Sequence, residues 1–202
     1  MKGKRIWEIG GLLAGAVLVA FGAVSIFLGV NGFTTVRDSI KQEQITFGTA
    51  DDPAVAKYAK QWAGEQVKTG DQARAFAKIM RYHTINGEWN PEHLTYAQMG
   101  RFLAAKDPSN PAGTSDEEAA LKDEKGNPVS NSFRNTWVTE TALTTALNTS
   151  YMAERLSIFG LVVGIALLLS GIGFLILALA VFGRVPEKEA ERSLARAVPA
   201  AG

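Results

Sequence analysis

The sequence predicts an all-α membrane protein in which two transmembrane helices form a hairpin around a helical extracytoplasmic insert. Two uncharged apolar runs predict the spans, at residues 9–30 and 156–182. Each run is long enough for a bilayer core of roughly 30 Å, which needs about 20 apolar residues. The polar residues between the runs predict the insert, and the second span is expected to continue a long juxtamembrane helix.

The charge distribution supports this division better than the overall composition does. The chain has 202 residues, 20% of them charged, with a net charge of +1. The insert has 14 basic and 16 acidic residues and is not strongly basic, so nucleic acid is not an expected partner. The predicted segments are a cytoplasmic tail (1–5), a first span (6–30), the insert (31–155), a second span (156–183) and a cytoplasmic tail (184–202) that is disordered or lies on the membrane surface.

Basic residues next to the spans predict the orientation. Lys2, Lys4 and Arg5 precede the first span, and Arg184 and Lys188 follow the second. Basic residues beside spans and in short loops stay in the cytoplasm, whereas long segments cross the membrane regardless of their charge. We therefore expect a plasma-membrane protein with both termini in the cytoplasm and the insert outside.

The first apolar run is expected to remain as an anchor. It is longer than the about 7–15 apolar residues of a cleaved signal peptide. The sequence contains no cysteine, which excludes a lipoprotein anchor and disulfide bonds. The lipid bilayer is thus the first expected partner.

Small residues form one stripe along each span, within a sector of roughly 80° at about 100° per residue. Such stripes mark packing faces in membranes, because small residues allow close backbone approach. Either the two stripes face each other in one chain, or one of them receives another subunit, including a second copy. Neither span has an ionisable residue at its centre, which argues against transport by this chain alone. The predicted packing glycines are Gly11, Gly15, Gly22, Gly160, Gly164 and Gly171.

The first half of the insert predicts short helices. The first span is expected to continue as a helix for a few turns, followed by a short extended piece at residues 44–47. A helix with Val55 and Trp62 on one face is expected to end near residue 64 or 70. Asp71 is a suitable N-cap for a further helix that runs to about Ile85.

Two more helices are expected before the last apolar run. Asn90 followed by Pro91 is a favoured helix start, and that helix would extend to Leu103. Ser115 and Glu118 form a capping-box pattern for a short charged helix. From about residue 130 no residue need interrupt a helix until residue 183, so the long helix is expected to enter the second span directly.

The outer half of that long helix has an apolar sector of roughly 120°. It includes Trp137, Leu143 and Leu147, and Trp137 is expected to be buried by the insert. Glu140 lies in the same sector, where a carboxylate is costly unless it is paired. Either the helix exposes Glu140, or the carboxylate meets His83, a nearby arginine such as Arg74 or Arg81, or a partner protein.

Several stretches resemble a family of small bacterial membrane proteins. They are GDQARAFAKIMRYHTI at residues 70–85, LTYAQMGR at residues 94–101 and the segment at residues 134–174. This family is commonly labelled aromatic ring-opening dioxygenase LigA-like. The resemblance covers most of the chain and implies two spans with a helical outer insert, without a settled function.

The residues themselves do not predict the dioxygenase chemistry of that label. A non-haem iron site usually needs two histidines and a carboxylate. The only histidines are His83 and His93, and with Glu88 and Glu92 they do not form a metal-binding spacing. No nucleophile motif or phosphate-binding glycine loop is present either. We expect no cofactor and no enzymatic activity.

Three function hypotheses follow, in order of preference. The first is a non-enzymatic accessory or scaffold subunit that contacts other membrane or envelope proteins through the insert. The second is an extracytoplasmic ligand-binding or sensing protein. The third is an enzyme that acts on envelope material.

Overall fold

The computed structural model describes residues 2–182. The predicted disorder of the tail at residues 184–202 lies outside the described residues. Extended pairing within residues 2–182 is limited to isolated bridges, and the regular elements are helical. The helices are α1 (Lys2–Gln42), α2 (Pro53–Tyr58), α3 (Gly70–Asn86) and α4 (Ser132–Phe182), with 3-10 turns at Lys60–Trp62 and Tyr96–Gln98.

The contacts divide the chain into two units. Residues 2–33 and 156–182 form the first, which we call the apolar helix pair, and residues 34–155 form the second, the polar unit. Both α1 and α4 are long and apolar enough to cross a membrane, with mean hydropathies of 2.4 and 2.7 over their most apolar windows. Only 17% of each window is buried, so these helices differ from the buried core helices of a soluble protein.

Glycines lie where the two helices of the apolar pair come closest. A Cβ atom added to Gly22 would lie 2.6 Å from Leu168 N, and one added to Gly164 would lie 2.9 Å from Gly22 O. Gly15 and Gly171 approach each other in the same way, with 2.9 Å from a Gly15 Cβ to Gly171 O. The stripe on α1 thus packs against the stripe on α4, and larger residues at these positions would meet backbone atoms.

The polar unit has its own apolar core, which α2, α3 and the adjoining parts of α1 and α4 share. Phe47 lies at its centre, with ring centroids 6.0 Å from Trp62 and 5.7 Å from Phe76. These contacts hold the chain between α1 and α3 against the helices. The buried members of this core are Ile40, Phe47, Ala54, Val55, Ala59, Val67, Ala73, Ala75, Ala77, Ile79 and Leu147.

The start of α3 differs from the prediction by two residues. Thr69, not Asp71, is the N-cap: its hydroxyl accepts a hydrogen bond from Gln72 N, while the Gln72 side chain accepts one from Thr69 N. This reciprocal pair satisfies two amides that the helix leaves free. Asp71 lies in the first turn instead, where its Oδ2 accepts a 2.7 Å hydrogen bond from Arg155 Nη2.

The prediction of a helix from Asn90 to Leu103 is wrong. Asn90 is fully buried, and its side chain binds backbone groups at the end of α3 instead of capping a new helix. Its amide nitrogen donates to the carbonyl oxygens of Thr84, Ile85 and Leu94. Its side-chain oxygen accepts from Leu94 N, which closes a tight loop. Only the turn Tyr96–Gln98 is helical in this stretch.

The helix predicted after Ser115 is also wrong. The chain bends at residues 117–119 and then pairs through isolated bridges, including Ala104 with Ala120 and Lys122 with Pro128. Asp116 accepts from Glu118 N within a local turn, so the expected capping geometry does not form. The stretch gains its backbone hydrogen bonds from neighbouring extended segments rather than from a helix.

The predicted long final helix is confirmed as α4, which begins at Ser132. Asn131, which is buried, accepts hydrogen bonds from the amides of Phe133 and Arg134. Its own amide group donates to the carbonyl oxygens of Gly100 and Pro111. Asn131 therefore caps α4 and ties its start to the extended segments.

Candidate functional site

The inward face of α4 in the polar unit repeats every three and four residues. Its buried members are Trp137, Glu140, Thr144, Leu147 and Glu154. This spacing averages 3.5 residues, as in helices that pack along one seam. The expected burial of Trp137 is confirmed, since only 2% of the residue is exposed.

Leu143 does not belong to this core, contrary to the expectation. It lies six residues after Trp137, off the 3.5-residue repeat, and 50% of it is exposed. The predicted sector of roughly 120° was too wide, because the buried positions follow the narrower seam of the 3.5-residue repeat.

Glu140 is buried and its partner is Arg81. The two are joined by a 3.1 Å contact from Arg81 Nε to Glu140 Oε1, and the Arg81 guanidinium also covers the Trp137 ring at 4.9 Å. The alternative pair of Glu140 with His83 is wrong. His83 Nε2 instead lies 3.0 Å from Asp52 Oδ2. The positive charge of Arg81 thus balances the buried carboxylate.

Asp52 joins the His83 contact to the start of α2. Desolvation raises the pKa of Asp52, but the hydrogen bonds from His83 and from the Ala54 amide outweigh it, so the pKa lies below its ordinary value. The Ala54 amide donates to Asp52 at 2.7 Å, which makes Asp52 the N-cap of α2. This arrangement explains His83 as a structural residue.

A second buried carboxylate, Glu154, joins three helices within the polar unit. It accepts a 2.6 Å hydrogen bond from Gly70 N at the start of α3 and lies 3.2 Å from Arg37 Nη2 of α1. A helix N-terminus favours a negative charge. Glu154 could have been identified from the sequence, because it lies two heptads after Glu140 and therefore on the same face.

The outward face of α4 carries no charge over residues 135–152. The only charged residue in that range is Glu140, which is buried. Val138 is 53% exposed and Met152 is 70% exposed. The remaining exposed positions of this outer face are Asn135, Thr136, Thr139, Thr141, Ala142, Leu143, Thr145, Ala146 and Thr149.

A cleft of about 450 Å³ lies between α2, α3 and α4 in the polar unit. Two tyrosines, two asparagines and three cationic residues line it, and none of its lining residues is acidic. This cleft could not be predicted from the sequence, because the residues that line it come from three separate helices. The cations are Lys57, Lys78 and Arg81.

The histidines and nearby carboxylates do not assemble into a metal site. His93 has a positive φ of 54°, and its Nδ1 lies 3.0 Å from Ile85 O. His83 is paired with Asp52, as described above. Within residues 2–182, no group of three or more metal-ligating side chains lies together.

Comparisons with protein-family models, with curated proteins and with solved structures find no match for this chain.

Proposed function

We propose that this chain is a two-span plasma-membrane protein and an accessory subunit that contacts another membrane protein through the outer face of α4. The polar unit lies on the extracytoplasmic side in this proposal. The two long apolar helices support membrane insertion, and the basic residues beside both spans support the orientation.

The uncharged outer face of α4 is the observation that carries the partner role. At about 1.5 Å per residue, residues 135–152 present some 26 Å of helix. An exposed helix face in water normally carries charged residues. This face has alanine and threonine instead, and it exposes Val138, Leu143 and Met152. Small side chains allow another helix to approach closely.

The partner is expected to be a membrane protein. Helix α4, which carries the outer face, also contains the second apolar run. A partner inserted in the same bilayer is confined near this chain, which raises its effective concentration.

A photo-crosslinking residue tests this proposal in intact cells. Placed at Ala142 on the outer face, it is expected to form an adduct with one specific membrane protein. Gln61 is exposed on another element and provides the matched control, which should form no such adduct. Equal adducts at both positions, or none at either, would contradict the proposal, and an adduct of two copies of this chain would indicate a homo-oligomer instead.

Charge variants complete the test. Ala142→Glu combined with Ala146→Glu should abolish co-purification of the crosslinked partner, because the partner would have to bury two unpaired carboxylates. Both positions are exposed, so the melting temperature should remain near that of the wild type. Retention of the partner at wild-type stoichiometry would show that the face is not the interface.

A further inference from the structure

The cleft between α2, α3 and α4 has the size of a small-molecule site. Its volume of about 450 Å³ lies within the roughly 300–1,000 Å³ that is typical of ligand pockets. α2 contributes Lys57 and Tyr58, α3 contributes Lys78, Arg81 and Tyr82, and α4 contributes Asn148. Three helices that the apolar core holds together therefore line one cleft.

The two lysines of the cleft differ from its arginine in their charge partners. Among the described residues, neither Lys57 nor Lys78 makes an ion pair, and none of the residues that line the cleft is acidic. Arg81 is different, because it pairs with Glu140 and covers Trp137. Two lysines that make no ion pair with the described residues therefore line a cleft whose net charge is positive, although the polar unit as a whole is slightly acidic.

An aromatic surface lies beside Lys57. The rings of Tyr58 and Tyr82 pack edge to face with centroids 6.3 Å apart. Lys57 Nζ lies 5.2 Å from the first ring and 5.7 Å from the second. The same ligand can thus contact an ammonium group and a tyrosine ring.

We propose that this cleft binds a small phosphate monoester, with its phosphate at Lys57 and Lys78 and its organic part against Tyr58 and Tyr82. Lysine binds phosphate as a point charge, whereas an arginine fork binds phosphate or carboxylate through paired hydrogen bonds. The one arginine in the cleft is engaged by Glu140, which leaves the two lysines to hold an anion. A phosphate monoester carries about −1.5 to −2 charge at neutral pH and therefore matches two ammonium groups better than a singly charged carboxylate does. The ester can be a soluble metabolite or a lipid headgroup, since both present the same group.

Phenyl phosphate is a suitable probe, because it combines a phosphate monoester with one aromatic ring. Titrated calorimetrically into the full chain in detergent, it is expected to bind more tightly than inorganic phosphate and than benzoate. Lys57→Met combined with Lys78→Met should weaken binding by at least about tenfold, since each lysine supplies hydrogen bonds to a charged group. Lys60→Met, at an exposed lysine outside the cleft lining, should leave the affinity unchanged.

The source of the ester follows from a parallel measurement in nanodiscs. Competition of phenyl phosphate by phosphatidic acid, but not by phosphatidylcholine, assigns the site to a lipid headgroup; lack of competition assigns it to a soluble ester. Absence of phenyl phosphate binding, or equal affinity of the double variant and the wild type at unchanged melting temperature, would overturn the proposal. Neither result depends on the partner that binds the outer face of α4.

Discussion

Replacement of Trp137 by alanine is expected to lower the free energy of unfolding by about 3–5 kcal/mol, the usual range for truncation of a buried aromatic residue. The side chain is among the largest that the polar unit buries fully, and Arg81 covers its ring. Its loss would open a cavity beside the buried carboxylate of Glu140. Denaturant unfolding followed by circular dichroism in detergent measures the change.

Val138→Ala is the matched control for Trp137→Ala. It lies on the same helix one residue later but is 53% exposed, so the expected change is within about 0.5 kcal/mol. The Trp137 variant should also lose the partner, because the outer face of α4 depends on a folded polar unit. Unchanged stability with complete loss of the partner would show that Trp137 lies in the interface and not in the core.

Gly164→Ala is expected to destabilise the apolar helix pair by about 1–3 kcal/mol, as overpacking of a close contact typically does. The added Cβ would lie 2.8 Å from Ile26 N and 2.9 Å from Gly22 O. Backbone atoms cannot rotate away as side chains do, so the two helices must separate. The melting temperature in detergent, or in reconstituted bilayers, reports this effect.

Gly173→Ala provides the control on the same helix. A Cβ atom at Gly173 meets no atom within 4 Å, and alanine is the better helix former. This variant should be neutral or slightly stabilising. Equal destabilisation by the two substitutions would show that the glycine contact does not hold the pair together.

The long helices could be predicted from the sequence because their signals are local. An uncharged run of more than about 20 residues specifies an apolar helix by its length alone. The continuation of α4 into the polar unit could also be predicted, because no proline or glycine interrupts it between residues 132 and 159. These features need no knowledge of distant contacts.

The stretch between α3 and α4 could not be predicted, because its side chains bind distant backbone groups. Asn90 resembles a helix N-cap in sequence, yet its side chain donates to the Thr84 carbonyl oxygen near the end of α3 and accepts from Leu94 N. Gly100 lies so close to Thr114 that a Cβ atom added to Gly100 would clash with the Thr114 backbone. Such contacts depend on the tertiary fold and leave no periodic signal.

The candidate sites could be predicted only in part from the sequence. Glu140 stands out within an apolar sector, but its partner depends on how α3 and α4 are aligned, which selects Arg81 over His83. The outer face of α4 could have been noticed as a long interval without exposed charge. The cleft could not, since Lys57, Lys78 and Asn148 are far apart in sequence and unremarkable individually.

The orientation of the chain in the membrane is the central claim, because the partner surface must face the side where the partner lies. The chain has no native cysteine, so single cysteines at Gly3, Ser109 and Ser193 can be labelled with an impermeant maleimide in intact cells. Ser109 is exposed in the polar unit and should be labelled, while Gly3 and Ser193 should react only after permeabilisation. Labelling of Ser193 in intact cells, or none at Ser109, would contradict two spans with residues 34–155 outside.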